Sequence, residues 1–209
     1  FKDGYDGVQL KNKYGTLINL YQEKTAKTKN SMTGKAFPGV ATYLPASADS
    51  LGRLIQDERD GYDLNLITYR EVSQTKSRTI SNYWLLALLP ENFLLMNKRD
   101  ADRLGFTDGQ RAKVVSATNP EGIWDLKNGK QIPMIGKLKV IQGIRPGVIA
   151  FSLGHGHWAY GASDLVVDGK RIAGDGRRAK GIHANAAMRI DPYIQNTCLS
   201  DLTGGSAVF

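Results

Sequence analysis

Cysteine is almost absent from this sequence: Cys198 is the only one among 209 residues. A single thiol cannot form an internal disulfide, and by itself it cannot hold an iron–sulfur cluster or a structural zinc ion. The sequence also lacks a GxSxG nucleophile elbow, a P-loop and a GxGxxG fingerprint. These absences argue against a complete catalytic centre within this chain.

Long apolar runs are missing as well. No stretch approaches the roughly 20 apolar residues that cross a bilayer, so no direct membrane span is expected. The first residues, FKDGYDG, lack a charged segment followed by an apolar one, as a secretion signal requires. The last residues, LTGGSAVF, end in an apolar run typical of a strand. Both ends are therefore expected to be points of excision from a larger protein.

Basic residues exceed acidic ones, with 28 Lys and Arg against 20 Asp and Glu and a formal charge of +8. This excess favours a polyanionic partner: nucleic acid, an anionic surface, or the phosphate groups of a cofactor. Two basic patches stand out, the first made of Arg70, Lys76 and Arg78 and the second of Lys170, Arg171, Arg177, Arg178 and Lys180.

The residue composition and the spacing of apolar residues change near residue 60. Residues 1–60 are rich in Gly, Lys, Thr and Asn and are interpreted as an extended arm or linker. LGRLIQDE, within this arm, predicts one short helix capped by Asp49 or Ser50. From residue 61 to 209 the apolar spacing has the period of strands, which predicts a β-domain.

Short strands dominate this second part. They are expected over 62–72, 111–117, 137–142, 148–153 and 164–167, with a hairpin turn at Asp168-Gly169. One short helix is expected between a capping Asn97 and a terminating Gly105. Many strands with few helices predict a mainly β fold with short helices, of the barrel kind.

The segment from Thr68 to Asn82, TYREVSQTKSRTISN, packs seven hydroxyl-bearing residues around the first basic patch. Phosphates bind where hydroxyls, backbone N–H groups and cationic side chains converge. The segment is therefore interpreted as an anion cradle, with a solvated polar loop as the alternative.

The segment from Phe151 to Gly161, FSLGHGHWAYG, sets two histidines and a tryptophan between glycines. Three hypotheses stay open for His155 and His157: metal ligands, contacts to a planar heterocycle, or a rigid turn with satisfied core histidines. The later loop DGKRIAGDGRRAKGIHANAAMRIDP places Asn185 and Asp191 where they could read a purine edge. Its alternative is a solvated surface loop.

In this order, these residues resemble the molybdopterin-dinucleotide-binding domain that closes catalytic subunits of the dimethyl sulfoxide reductase superfamily. The resemblance covers about Tyr62 to Phe209. It is carried by LITYREVSQTKSRT, LLPENFLLMNKRDADRLGFTDGQRAKVVS, IRPGVIAFSLGHGHWAYG and HANAAMRIDP. Within the superfamily, SRTISNYWLLALLPENF, GHGHWAYG and DLTGGSAVF are similar to the catalytic subunits of tetrathionate reductase and respiratory arsenate reductase.

This resemblance implies a six-stranded double-psi β-barrel of the aspartate-decarboxylase type, packed against a larger body. The domain would contact molybdenum bis-(molybdopterin guanine dinucleotide) and supply neither catalytic residues nor metal ligands. Tyr69 and Ser73-Gln74 depart from the Gly and His common in the family. The implied cofactor-binding residues are Thr68, Arg70, Ser73, Gln74, Thr75, Lys76, Ser77, Arg78, Thr79, Gly154, His155, Gly156, His157, Trp158, Asn185 and Asp191.

The parent protein implied by the resemblance is a reductase of tetrathionate, or of a related sulfur or arsenic oxyanion, in anaerobic respiration. Its N-terminal part would hold an iron–sulfur cluster, an iron–sulfur subunit would deliver electrons, and it would work outside the cytoplasm. The fragment alone is expected to be inactive and to bind no cofactor. From the residues, the alternative is a basic β-barrel that binds nucleic acid, although aromatic residues interleaved with Lys and Arg are sparse.

Overall fold

The computed structural model describes residues 8–11, 17–31, 33–43, 48–49, 51–159 and 161–192. Cys198 and the expected C-terminal strand lie outside these residues. The chain forms two compact units, Phe1–Ile55 and Gln56–Phe209. No helix among the described residues is long and apolar enough to cross a membrane.

The N-terminal unit contains more regular structure than an extended arm. Strands β1 (Val8–Lys11) and β2 (Leu17–Tyr21) pair antiparallel, and helix α1 (Glu23–Lys27) follows them. The capped helix expected over LGRLIQDE is wrong. The Asp49 carboxylate instead accepts hydrogen bonds from the backbone N–H groups of Leu51 and Arg53, each at 2.9 Å. Gly52 has φ +80°, which interrupts a right-handed helix at that point.

The larger unit is mainly β with short helices, as the sequence predicts. Besides 3-10 helices at Asp57–Asp60, Lys76–Thr79 and Gly176–Ala179, its elements are β3 (Asn65–Tyr69), α2 (Tyr83–Leu88), β4 (Phe93–Asn97), α3 (Lys98–Leu104), β5 (Arg111–Lys113), β6 (Ile123–Asp125), β7 (Gln131–Pro133), β8 (Ile135–Ile141), β9 (Val148–Ser152), β10 (Leu165–Val167), β11 (Lys170–Ile172) and α4 (Ala184–Ala187).

A mixed five-stranded sheet in the order β3-β9-β4-β8-β5 forms the centre of this unit. β3 runs parallel to β9 and β4 parallel to β8, whereas β4 and β9 are antiparallel. β3 and β9 therefore end at one edge of the sheet, and β4 and β8 end at the opposite edge. Closure of the strands into a double-psi barrel stays a prediction.

The core lies on the faces of this sheet. Alternate side chains of the central strands point inward, so that Leu94, Met96, Leu138 and Phe151 are each at most 4% exposed. Ile182, from the loop before α4, packs into the same cluster. Full burial of such a side chain contributes about 2–3 kcal/mol, which makes these strands the stable frame of the unit.

Two local predictions are confirmed by hydrogen bonds and dihedral angles. The Asn97 side chain accepts from the Arg99 N–H at 2.8 Å, which caps α3, and Gly105 at φ +74° ends it. Asp168 and Gly169 both have positive φ, as a two-residue turn between β10 and β11 requires. A further antiparallel hairpin of β6 and β7 was not predicted.

Candidate functional site

Three loops meet at the edge where β3 and β9 end. The Leu153 N–H donates to the Tyr69 carbonyl at 2.9 Å, and the Gly156 N–H donates to the Lys180 carbonyl at 2.9 Å. A Cβ added to Gly154 would lie 2.5 Å from the carbonyl carbon of Lys76. The fold therefore brings together three segments that lie far apart in sequence, at residues 69–79, 153–158 and 180–185.

Gly154 and Gly156 explain how closely these loops approach. Their φ angles are +99° and +73°, where residues with a Cβ are strained. A Cβ on Gly156 would also lie 2.5 Å from the carbonyl carbon of Ile182. Glycine is required at both positions by conformation and by space.

Gln74 is the most informative polar side chain at this edge, because it is only 2% exposed. Its Oε1 accepts from the Thr79 hydroxyl at 2.7 Å, and the Thr79 oxygen accepts from the Thr75 N–H at 2.8 Å. Its Nε2 has no hydrogen-bond partner among the described residues. A buried donor without an acceptor costs about 1–3 kcal/mol, so a ligand atom that accepts this bond would stabilise the site.

The charged side chains of the predicted anion cradle lie within four residues of Gln74 in the sequence. Arg70, Lys76 and Arg78 are exposed, Thr68 and Ser73 are half-buried, and Ser77 lies in the 3-10 helix Lys76–Thr79. These three cations can therefore reach a ligand at the surface of the loop.

Tyr69, at the end of β3, is neutral. Its hydroxyl donates to Glu71 Oε1 at 2.9 Å. Burial, together with the Glu71 carboxylate, raises the pKa of Tyr69 to about 12. The Tyr69 side chain is therefore an uncharged hydroxyl group near pH 7. Its partner Glu71 is the one acid in the segment from Thr68 to Asn82.

The three histidines lie in the loops at this edge. His155 is 1% exposed, and its Nε2 lies 3.3 Å from the Leu89 carbonyl oxygen. The His157 and His183 rings meet edge to face at 4.4 Å, and Trp124 stacks on His183 at 4.2 Å. Burial lowers the pKa of all three, that of His183 to about 4. All three imidazoles are therefore neutral near pH 7.

The metal-ligand hypothesis for the histidines gains no support. Within the part of the chain that the structure describes, no group of three or more His, Cys, Asp or Glu side chains could hold a metal ion. The His157 ring instead contacts another ring, which is the behaviour of a group in an aromatic cluster.

The β6–β7 hairpin forms part of the site, and the sequence interpretation missed it. Trp124 of β6 stacks on His183, and the ammonium group of Lys130 lies 5.5 Å from the ring centre of Trp158. The Trp158 Nε1 is buried and has no hydrogen-bond partner among the described residues. Asn128-Gly129 between two short apolar segments was a usable hairpin signal.

Asn92 is a second residue that sequence reasoning missed. It is 1% exposed, and its Nδ2 donates to the carbonyls of Ser152 at 2.8 Å and Ile182 at 3.1 Å. Its Oδ1 accepts from the Ile182 N–H at 2.8 Å. One amide thus joins the end of β9 to the loop that precedes His183. Asn92 lies within the segment LLPENFLLMNKRDADRLGFTDGQRAKVVS, but only the fold shows which backbone groups its side chain joins.

Asn185 and Asp191 follow His183 in a segment held by the 118–119 turn. The Asn119 Nδ2 donates to the Ala186 carbonyl at 2.9 Å, and the Ile190 N–H donates to the Thr118 hydroxyl at 3.2 Å. Asn185 is half-buried in α4, whereas Asp191 is 1% exposed. Their roles toward a nucleotide stay predictions.

Two of the five cations of the second basic patch, Arg171 and Arg177, are paired with acids. Arg171 contacts Asp164 through Nε at 2.9 Å, and Arg177 contacts Asp175. The Arg177 guanidinium and the Tyr83 hydroxyl hold the pKa of Asp175 well below its usual range. This patch presents less uncompensated charge than the sequence indicates, and nothing supports the nucleic-acid alternative.

The residues at this edge fit a planar, phosphate-bearing cofactor. The buried donors of Gln74 and Trp158 have no acceptor among the described residues, and the exposed cations suit phosphates. Fold and site together have the features expected of a β-domain that binds an anionic heterocyclic ligand. Residues 64–201 match the Molydopterin dinucleotide binding domain family, and this chain belongs to that family. The corresponding prediction from the sequence is confirmed.

Two curated relatives cover almost the whole chain. It is 44% identical over 208 residues, 99% of its length, to a selenate reductase subunit of Mesobacillus selenatarsenatis, and 27% identical over 209 residues, 98% of its length, to a tetrathionate reductase subunit of Salmonella typhimurium. These alignments cover 20% and 19% of the two relatives. The chain therefore spans about a fifth of their length.

A solved structure shows a more distant likeness. Acetylene hydratase from Pelobacter acetylenicus matches 59% of this chain and 15% of its own, with 20% sequence identity and a TM-score of 0.42. No argument about function rests on this likeness.

Proposed function

We propose that this chain holds bis-(molybdopterin guanine dinucleotide) within the catalytic subunit of a molybdenum oxidoreductase. The observation that carries the proposal is the Gln74 amide, whose Nε2 is buried without an acceptor among the described residues, in a loop that also carries three exposed cations. When bound, the cofactor supplies the redox chemistry of its metal. The protein positions the cofactor and adjusts its electronic properties through hydrogen bonds.

Each part of the site has a separate task in this proposal. Gln74 Nε2 donates to a cofactor oxygen or nitrogen, and Arg70, Lys76 and Arg78 neutralise phosphate charge. Gly154 and Gly156 let the histidine loop pack closely on the Lys76 and Ile182 backbones. This packing positions His155, His157 and Trp158 to line the contact with the pterin. Asn185 and Asp191 serve the nucleotide end.

The remainder of the parent protein supplies what this domain lacks. It would carry the metal ligand, an iron–sulfur cluster and most substrate contacts, and an iron–sulfur subunit would deliver electrons. The isolated 209-residue chain, which provides only one wall of the site, would have negligible affinity for the cofactor. The parent would work outside the cytoplasm, as the resemblance implies, and cell fractionation followed by immunodetection checks this location.

The parent's substrate is proposed to be an oxyanion of selenium, sulfur or arsenic. The support is that the two relatives that cover the chain are named selenate reductase and tetrathionate reductase. Anaerobic oxidation of a reduced dye by the full-length protein, with selenate, tetrathionate or arsenate as the sole acceptor, tests the class. Failure with all three would reject this substrate class and leave the cofactor proposal standing.

The cofactor proposal is tested with Gln74→Glu in the full-length protein. The carboxylate keeps the size of the amide but removes its donor and adds negative charge near the phosphates, so cofactor retention should fall more than tenfold, a cost of at least about 1.4 kcal/mol. The exposed Gln142, which follows β8 at the opposite edge, supplies the matched control Gln142→Glu.

The measurement is molybdenum by elemental analysis and pterin by fluorescence, each per polypeptide. Normal content in Gln74→Glu, or equal loss in both variants, would reject the assigned role of Gln74. A correctly assembled wild-type protein without molybdenum, tungsten or pterin would reject the function itself.

A further inference from the structure

The loop between β6 and β7 contains the only Asn-Gly pair in the sequence, Asn128-Gly129. Both residues are exposed, and a Cβ added to Gly129 would meet nothing within 4 Å. Because glycine has no side chain, its backbone nitrogen can approach the side-chain carbonyl carbon of the preceding residue without steric hindrance. The Gly129 nitrogen and Asn128 Cγ are therefore accessible to each other and to water.

The hydrogen bonds of this loop leave the two nitrogen atoms of the pair available. Among the residues that the structure describes, neither the Gly129 N–H nor the Asn128 Nδ2 has a hydrogen-bond acceptor. The Asn128 Oδ1 accepts from the Lys130 N–H at 3.2 Å, a bond that asparagine commonly makes two residues on in a turn. A donor at Oδ1 stabilises the negative charge that develops on this oxygen when a nucleophile attacks Cγ.

We propose that Asn128-Gly129 is a site of spontaneous deamidation, and that the product loosens the β6–β7 hairpin. The Gly129 nitrogen loses its proton and attacks Asn128 Cγ, which closes a cyclic succinimide, and the side-chain nitrogen leaves as ammonia. Water then opens the ring at either carbonyl and leaves aspartate or isoaspartate. The net reaction consumes one water and releases one ammonia for each site, and no oxidation or reduction takes place.

Both products change the loop. Each replaces a neutral amide with a carboxylate next to Lys130, and isoaspartate also inserts an additional carbon atom into the main chain between residues 128 and 129. The loop is closed at present by the Leu126 N–H, which donates to the Lys130 carbonyl at 3.0 Å. A longer main chain cannot keep this bond and the pairing of Asp125 with Gln131 in their present geometry.

The loop is continuous with residues of the candidate site. Trp124 of β6 stacks on His183, and the Lys130 ammonium group lies 5.5 Å from the ring centre of Trp158. Both contacts depend on the position of the hairpin. Deamidation at Asn128 therefore acts on one wall of the site from a position at the exposed end of the hairpin.

Incubation of the full-length protein in mildly alkaline buffer tests the proposal. Peptide mass spectrometry with electron-transfer fragmentation measures aspartate and isoaspartate at residue 128. Asn65, which is exposed but is followed by Leu66, is the internal control. Modification of Asn128 should exceed that of Asn65 severalfold. It should also slow severalfold in mildly acidic buffer, because less of the Gly129 amide is then deprotonated.

The matched variant is Asn128→Gln, which keeps an amide but must close a larger ring that forms more slowly. Hydrogen–deuterium exchange over residues 123–133 compares each incubated protein with its own fresh sample. Exchange should become severalfold faster in the incubated wild type and should stay unchanged in Asn128→Gln. Neither measurement depends on a bound cofactor, so the result is independent of the proposed function.

Two results would overturn the proposal. Modification of Asn128 no greater than that of Asn65, or equal in the two buffers, would show that the pair is not a deamidation site. Modified wild type whose exchange over residues 123–133 matches its fresh sample, or rises no more than that of incubated Asn128→Gln, would show that the product does not loosen the hairpin.

Discussion

Trp124 stacks on His183, with ring centres 4.2 Å apart and ring planes inclined by 23°. The contact joins the β6–β7 hairpin to the loop before α4, and His183 in turn meets His157 of the glycine-rich loop. A hairpin that the sequence interpretation missed therefore supports a wall of the proposed cofactor site.

Trp124→Ala should weaken the contact between the β6–β7 hairpin and the loop that carries His183. Loss of the half-buried indole should destabilise the unit by about 2 kcal/mol and admit water to the His183 ring, which raises the pKa of His183 toward its ordinary value. Trp124→Phe, which keeps an aromatic face, should have a smaller effect. NMR titration of the histidine ring protons measures the change, and an unaltered His183 pKa in Trp124→Ala would contradict the proposed shielding.

His183 should also make folding sensitive to acid. Burial lowers its pKa from 6.5 to about 4 in the folded chain, so between these pH values the unfolded state binds a proton that the folded state does not. The contribution is fully present above pH 6.5 and is lost as the pH falls to about 4, a difference of about 3 kcal/mol. Urea unfolding at pH 7.5, 5.5 and 4.5 measures it. His183→Gln should lose less stability on acidification, and parallel pH profiles would refute the assignment.

Asn92→Ala should destabilise the fold strongly. It leaves the Ser152 carbonyl and both backbone groups of Ile182 without their buried partner, at a cost of about 3 kcal/mol. The exposed Asn65 supplies the control Asn65→Ala, expected within about 0.5 kcal/mol of the wild type. Equal urea midpoints for the two variants would show that Asn92 does not join these segments.

Comparing Gly156→Ala with Gly169→Ala distinguishes the need for space at a glycine from the need for a positive φ angle. Gly169 has nearly the same φ, +74°, but a Cβ there meets nothing within 4 Å. Gly169→Ala should therefore cost only the strain of a left-handed residue, about 1 kcal/mol. Gly156→Ala should cost clearly more, because the 180–183 loop must also move. Thermal unfolding of both variants measures the difference, and similar losses would mean that the loops have room to separate.

The glycine-rich loop and the alternation of the strands could be predicted from the sequence, because both depend on neighbouring residues. Helix α3 was predicted from Asn97 and Gly105, and the β10–β11 hairpin from Asp168-Gly169. Helix α2 was missed although Asn82, whose side chain accepts from the Trp84 N–H at 3.0 Å, precedes an apolar run. The helix expected after Asp49 was wrong because that carboxylate closes a turn around Gly52 instead.

The sequence by itself determined that this is a mainly β domain of a recognisable cofactor-binding family, since alternation, turns and ordered motifs are properties of neighbouring residues. Tertiary structure alone decided which distant groups meet. The hydrogen bonds of Asn92 to Ser152 and Ile182 and the stacking of Trp124 on His183 join residues that lie tens of positions apart in sequence. Their positions follow from the order of strands in the sheet, which local chemistry does not encode.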